Sequence, residues 1–136
     1  MNVFVDTSGL FALMVSNDYM HVRAKENFKY FADNQVKLLT SSFVLVETTA
    51  LLQRRVGIEP VHDFTKSILP LLDIIWVDNQ WHDRAIRRLF LLNSRDISLV
   101  DCLSFEIMEY HKLRYAFTFD KHFEDHGFLI AEFHDI

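Results

Sequence analysis

The chain has 136 residues, half of them hydrophobic and 14% aromatic, with a formal net charge of −5. This much apolar material excludes intrinsic disorder, and 3 Gly and 2 Pro are too few for a turn-rich all-β design. One cysteine excludes an internal disulfide, and we find neither a secretory leader nor an apolar run of about 20 residues, so a single cytoplasmic domain over 1–136, without a membrane span, is expected.

Short β-rich runs alternate with helical patterns along the chain. The β-rich runs predict strands at 2–5, 36–40, 74–77 and 115–119. The helical patterns predict helices at 8–15, 19–33, 42–55, 59–70, 79–92 and 98–111, with a short helix and a strand after residue 120. This alternation predicts an α/β sandwich with a mainly parallel central sheet.

Two aspartates stand where predicted strands end. Asp6 closes the run NVFVD, and Asp120 closes YAFTFD. Ligands of parallel sheets bind beyond the carboxyl ends of the strands, so both carboxylates are expected on one rim. Each could instead do no more than cap the helix that follows it.

Two further acids stand in apolar helical contexts. Glu47 has only apolar neighbours one helical turn away: Phe43, Val44, Ala50 and Leu51. This predicts a carboxylate on a buried stripe, compensated either by an arginine or by a cation. Asp101, in ISLVDCLSF, is flanked by apolar residues and stands three residues after Ser98, so the two could also form a variant capping box.

The four acids have a joint consequence if they converge. Two unit charges about 5 Å apart at an effective dielectric near 20 repel by roughly 3 kcal/mol, and four carboxylates make six such pairs. Either some are then protonated or a divalent cation is bound. Oxygen ligands favour Mg²⁺ or Mn²⁺, which commonly also hold substrate phosphate oxygens, and this combination indicates phosphodiester hydrolysis.

The motifs VDTSGLFAL, SSFVLVET, ISLVDCLSF and FTFDKHFEDHGF occur in an order and spacing that resembles PIN domains of bacterial and archaeal VapC-type toxins. The resemblance spans essentially the whole chain. It implies a PIN-like three-layer sandwich and a metal-dependent endoribonuclease. It also implies a homodimer that cuts transfer or ribosomal RNA and is inhibited by a cognate antitoxin.

The resemblance also assigns roles to residues. It makes Asp6, Glu47, Asp101 and Asp120 the catalytic metal site, with Thr7 or Ser8 holding a water or a phosphate, and Asp125 as a further candidate acid. The hypothesis is that Mg²⁺ or Mn²⁺ activates a water for in-line attack, leaving a 5′-phosphate and a 3′-hydroxyl. The acidic net charge neither supports nor excludes an RNA substrate.

Three other functions remain open. NVFVDTSG is similar to the first motif of aspartyl-phosphate phosphatases, although Ser8 stands where those enzymes usually have a second acid. Histidines could support a metal-independent ribonuclease, and the fold could be a binding scaffold without activity.

Other charged residues have both structural and functional interpretations. His122 and His126 have the spacing of a zinc pair but lack the accompanying glutamate. Arg84, Arg87 and Arg88 could follow an RNA backbone or form a solvated helix face.

Overall fold

The structure is a computed structural model that describes residues 1–132. Its strands are β1 (Asn2–Val5), β2 (Lys37–Ser41), β3 (Asp73–Ile75), β4 (Tyr115–Phe117) and β5 (Leu129–Ile130). Its helices are α1 (Thr7–Met14), α2 (His21–Asp33), α3 (Ser42–Arg55), α4 (Ile58–Asp63), α5 (Asn79–Leu92), α6 (Leu99–Tyr110) and α7 (His122–Asp125). A π-helical segment at Phe64–Ile68 and a 3-10 turn at Leu69–Leu71 connect α4 to β3.

One sheet in the order β3-β2-β1-β4-β5 organises the described residues, and all its pairs are parallel. β1 lies at the centre, with Val3 in register with Leu38 on one side and with Tyr115 on the other. The chain therefore builds β2 and β3 on one side of β1, and β4 and β5 on the other. The strand order reverses at β1, and a crevice opens at such a point beyond the carboxyl ends of the strands.

Aromatic contacts place helices on both faces of the sheet. Phe117 of β4 packs against Phe28 and Phe31 of α2, with ring centroids 6.2 and 5.6 Å apart. Phe4 of β1 instead contacts Phe123 of α7, whose ring lies 5.1 Å from that of Phe105 in α6. Phe117 is in register with Val5, which points away from Phe4. α2 thus covers one face, and α6 and α7 cover the other, giving three layers.

The predicted element types and fold class are confirmed, with differences at several boundaries. β3 ends at Ile75 rather than at 77, and β4 ends at Phe117 rather than at 119. The β4 difference has a local cause, because the Phe119 N–H donates to Ser8 Oγ at 2.9 Å instead of to a neighbouring strand. The predicted helix at 59–70 is helical throughout, but its hydrogen bonding changes after Asp63.

The described residues contain no helix that is long and apolar enough to cross a membrane.

Candidate active site and metal centre

Asp6 joins the end of β1 to the start of α1. Its side chain is nearly fully buried and caps α1, and Oδ2 accepts hydrogen bonds from Ser8 Oγ at 3.0 Å and Thr118 Oγ1 at 2.9 Å. Its backbone N–H donates to the Phe117 carbonyl at 3.1 Å, which ties this carboxylate to the end of β4. The capping interpretation is therefore correct, and it holds Asp6 in a fixed orientation at the rim.

Two hydroxyls connect the ends of β1 and β4. Ser8 Oγ lies 2.9 Å from Thr118 Oγ1, and Thr118 Oγ1 also accepts from the Asp120 N–H at 3.0 Å. The same pair therefore positions both Asp6 and the backbone of Asp120. Thr118 was not among the predicted site residues; its signal in the sequence is a hydroxyl between two phenylalanines at the end of a buried strand.

Asp101 enters the site from the first turn of α6. The N-cap of this helix is Ser98, whose side chain accepts a hydrogen bond from the Asp101 N–H at 3.0 Å. The Asp101 carboxylate therefore does not serve as the N-cap. The pKa of Asp101 is raised to about 6, chiefly by burial and then by the Asp6 and Asp120 carboxylates, against smaller lowering effects of Ser98 and His122. Three of the four predicted acids therefore interact electrostatically at this rim.

Asp6 shows the same conflict between charge and burial. Burial raises its pKa above the ordinary value, although the hydrogen bonds from Thr118 and Ser8 act in the opposite direction. The ionised forms of both carboxyls are therefore disfavoured in this site, and a bound cation would stabilise them.

His122 lies beside Asp101 and Asp120. Its Nδ1 is 3.0 Å from Asp120 Oδ1 and 3.7 Å from Asp101 Oδ2. The ligand atoms of these three residues all lie within 4.8 Å of one another. The spacing in the sequence pairs His122 with His126 instead, but the His126 ring stacks on Phe105 with centroids 4.6 Å apart.

The prediction that Glu47 lies on a buried stripe is wrong, because its side chain is exposed. α3 carries apolar residues on several sides, and its buried side follows Val44, Thr48 and Leu52. Glu47 is also outside the three-residue group formed by Asp101, Asp120 and His122. It nevertheless precedes Thr48, whose hydroxyl donates to Thr7 Oγ1 at 3.1 Å, directly after Asp6 in the chain.

The other predicted residues lie outside the group formed by Asp101, Asp120 and His122. Thr7 is buried with its hydroxyl against Thr48, whereas Ser8 contacts the Asp6 carboxylate. Asp125 is exposed on α7. Arg84 and Arg88 donate to Glu106, and Arg88 also donates to Glu109, so α5 and α6 are joined by ion pairs.

Asp6, Asp101 and Asp120 together form the acidic rim. A cavity of about 710 Å³ opens beside it. Thr118 and Asp120 form part of its wall, together with the exposed Lys121 and Tyr19. Arg23 also lines it but is paired with Glu132. The cavity gives an extended ligand access to the acidic rim.

The donor set fits a divalent cation. Carboxylate oxygens from Asp101 and Asp120 lie close together, with the Asp6 carboxylate near enough to raise the pKa of Asp101. In addition, His122 Nδ1 is a buried polar atom that makes no hydrogen bond to the described residues. Oxygen and imidazole donors in one place are suited to divalent metals of the first transition row and, for the oxygens, to Mg²⁺.

The family model of the PIN domain matches residues 3–129 of the chain. The chain belongs to the PIN-domain family. One relative is the 23S rRNA-specific endonuclease VapC20 of Mycobacterium tuberculosis, 32% identical over 130 residues, which are 93% of this chain and 95% of the relative. The expected family is therefore confirmed.

Solved structures show the same fold. The crystal structure of M. tuberculosis VapC20, described as a toxin that cleaves the sarcin–ricin loop, matches with a TM-score of 0.84 and 30% identity. The match covers 96% of this chain and 98% of that one. VapBC2 from Rickettsia felis, bound to a promoter DNA fragment, matches with a TM-score of 0.70 and 15% identity, over 96% of this chain and 98% of that one.

Proposed function

We propose that this PIN domain is a divalent-metal-dependent endoribonuclease and the toxin of a toxin–antitoxin pair. The observation that carries the proposal is the convergence of Asp6, Asp101 and Asp120 beyond the ends of β1 and β4, with the pKa of Asp101 raised to about 6. A buried acidic cluster beside an open cavity favours phosphate chemistry supported by a cation.

The relatives support RNA as the substrate. VapC20 is a 23S rRNA-specific endonuclease, and this chain is similar to it over nearly the full length of both. Ribosomal RNA is therefore the proposed substrate class, with transfer RNA as the alternative that the test below distinguishes.

Each residue near the rim has a proposed part in hydrolysis. Asp101 and Asp120 hold the cation, and Asp6 joins them, oriented by Ser8 and Thr118. Glu47 is proposed as a fourth acid that reaches the rim from the exposed side of α3, or acts on it through water. Bound Mg²⁺ or Mn²⁺ would activate water and neutralise charge on the leaving oxygen.

The proposal extends to partners and place of action. We expect a homodimer in the cytoplasm, held inactive by an antitoxin that covers the acidic rim. Trp76, Phe90 and Leu91 are 69%, 72% and 85% exposed, and large exposed apolar side chains of this kind supply surface for protein partners.

The test is cleavage of total RNA by the purified protein with Mn²⁺, Mg²⁺ or EDTA, followed by mapping of the fragment ends. Discrete cuts are expected with a divalent metal, with 5′-phosphate ends, and these cuts should disappear in EDTA and in Asp101→Asn. Asp96→Asn is the matched control, because Asp96 is exposed and precedes the Ser98 cap of α6.

The rival functions predict different results. Cleavage that persists in EDTA and in Asp101→Asn, with 2′,3′-cyclic phosphate ends, would indicate histidine chemistry instead. Phosphate trapped on Asp6 would indicate the aspartyl-phosphate class. Absence of cleavage from total RNA and from ribosomes, with protein free of any copurified partner, would indicate a scaffold.

A further inference from the structure

The His122 ring lies among the acidic ligands although it is not one of the four acids. Its backbone N–H donates to Asp120 Oδ1 at 2.9 Å, which turns the chain so that the ring folds back over the same carboxylate. Nδ1 then lies between Asp120 Oδ1 and Asp101 Oδ2, at 3.0 and 3.7 Å. The imidazole therefore approaches the site from the side of α7.

We propose that His122 Nδ1 is a direct ligand of the divalent cation, together with Asp101 and Asp120. This inference rests on the proposed function only in requiring that a metal binds here. It adds a nitrogen to a donor set that the acids alone would make entirely oxygen, and it assigns the preferred metal.

The separations of the donor atoms fit a shared ion. Two ligands at right angles, each about 2.1 Å from one ion, lie about 3.0 Å apart. The Nδ1 to Asp120 Oδ1 distance is 3.0 Å, and all three donors fall within 4.8 Å. Nδ1 and Asp120 Oδ1 are thus spaced as neighbouring positions around one cation, and Asp101 Oδ2, 3.7 Å from Nδ1, lies within reach of the same ion.

The state of Nδ1 supports the same assignment. Buried polar atoms in proteins almost always have a hydrogen-bond partner, yet Nδ1 is buried and has none among the described residues. Its 3.0 Å approach to Asp120 lacks the angles of a hydrogen bond, so the ring is not simply anchored by that carboxylate. Coordination would satisfy this atom and both carboxylates at once.

A nitrogen ligand changes the expected metal. Mg²⁺ strongly prefers oxygen donors, whereas imidazole binds metals of the first transition row. A site with Asp101, Asp120 and His122 should therefore bind Mn²⁺ more tightly than Mg²⁺. Without the imidazole, the site should lose most of this preference.

The experiment measures nitrogen coordination directly. The intact protein is loaded with one equivalent of Mn²⁺ in a buffer without amines or imidazole. Its electron spin-echo envelope modulation is then recorded by pulsed electron paramagnetic resonance. Modulation from a coordinated ¹⁴N is expected in the native protein and should be lost in His122→Asn. His126→Asn is the matched control, since His126 is on the neighbouring turn but stacks on Phe105, and it should retain the signal.

A second measurement covers the case of a poorly folded variant. Calorimetric titration of native protein, His122→Asn and His122→Gln, each checked by circular dichroism, should show Mn²⁺ affinity falling about tenfold or more. The loss of Mg²⁺ affinity should be smaller.

Bound Mn²⁺ without nitrogen modulation in the native protein would overturn the inference and leave the acidic site intact. Modulation that persists in His122→Asn, or equal losses for both metals, would also overturn it. RNA cleavage that needs no metal would instead overturn the proposed function.

Discussion

Asp101 combines a structural cost with its proposed role as a metal ligand. Burial, together with two neighbouring carboxylates, raises the pKa of its carboxyl to about 6. The folded chain therefore holds this proton more tightly than the unfolded chain does. The stability that the protonated carboxyl contributes is present at low pH and is lost as the pH rises from about 4 through about 6.

We expect Asp101→Asn to stabilise the metal-free protein at pH 7.5 while abolishing cleavage. The raised pKa corresponds to an upper limit of about 3 kcal/mol, and partial solvent exposure reduces this to about 1–2 kcal/mol. Urea unfolding in EDTA at pH 7.5 and pH 4.5 measures the effect, which should shrink at the lower pH. Added Mn²⁺ should reverse the order by stabilising the native protein more than the variant.

Asp96→Asn serves as the control, and its free energy of unfolding should stay within about 0.5 kcal/mol of the native value at both pH values. An Asp101→Asn variant that is less stable than the native protein in EDTA at pH 7.5 would contradict the electrostatic account.

Thr118 is expected to act by positioning the acids. Thr118→Val keeps the shape of the side chain but removes the hydroxyl that donates to Asp6 Oδ2 and accepts from the Asp120 N–H. Groups that orient metal ligands change affinity or activity by about 10–100-fold, so Mn²⁺ affinity should fall within that range. Thr48→Val removes a buried hydroxyl bound to Thr7 and should alter stability with little effect on Mn²⁺ binding by calorimetry.

Residue-level prediction from sequence succeeded where the backbone fixes the side chain and failed elsewhere. Asp6 and Asp120 follow parallel strands, so their shared rim follows from topology. Glu47 was misplaced because α3 is apolar on several sides, which makes its buried face ambiguous. His122 was considered only with His126, because its place beside Asp120 depends on a turn between Asp120 and α7 that spacing does not reveal.

At the level of elements, α1 approaches β4 closely beside the site. Gly9 is buried in α1, and a Cβ built on it would lie 2.6 Å from the Phe117 carbonyl oxygen and 2.9 Å from the Phe117 ring. The same carbonyl accepts the Asp6 N–H at 3.1 Å. The absence of a side chain at Gly9 therefore allows Asp6 to sit directly against the end of β4.

Gly9→Ala is expected to separate α1 from β4. The overpacking should cost about 1–3 kcal/mol of unfolding free energy, and it should weaken Mn²⁺ binding because Asp6 moves with α1. Gly127→Ala is the comparison, since its Cβ meets nothing within 4 Å but its φ of +94° is strained for alanine. It should cost about 1 kcal/mol without changing Mn²⁺ affinity.

Denaturant unfolding and calorimetry separate the two effects. Unchanged metal binding in a folded Gly9→Ala protein would show that Asp6 does not depend on the contact between α1 and β4.

The order and type of the elements were predictable because each has a local signal. β1 is a short apolar run before a capping Asp6, and α5 carries Trp81, Ala85 and Leu89 at helical spacing on its packed side. Boundaries were less predictable, since β4 ends where Ser8, distant in sequence, binds the Phe119 N–H. The π-helical segment after α4 likewise arises from a change in hydrogen bonding that composition does not encode.

At the scale of the whole molecule, few of the cations lie at the cavity beside the acidic rim, which Arg23 and Lys121 line. The formal net charge is −5. Of the cations discussed above, Arg23 is paired with Glu132, and Arg84 and Arg88 are paired with Glu106. Lys121 and Arg87 are exposed, and Lys121 lines the cavity beside Asp120. We therefore expect RNA binding at this cavity to depend more on a bound metal than on the two cations that line it.

We expect RNA binding to require a divalent cation and to vary weakly with monovalent salt. Each phosphate neutralised by a basic side chain contributes about 0.7 to the slope of log K against log salt for single strands, so two or three contacts give a slope of about 2 or less. Fluorescence anisotropy of a labelled RNA containing the mapped cut site measures this, with His122→Asn and native protein compared in Ca²⁺ and in EDTA. A slope near 5 would instead require a basic surface with about seven phosphate contacts. Equal affinity in Ca²⁺ and in EDTA would show that the cation does not bridge protein and RNA.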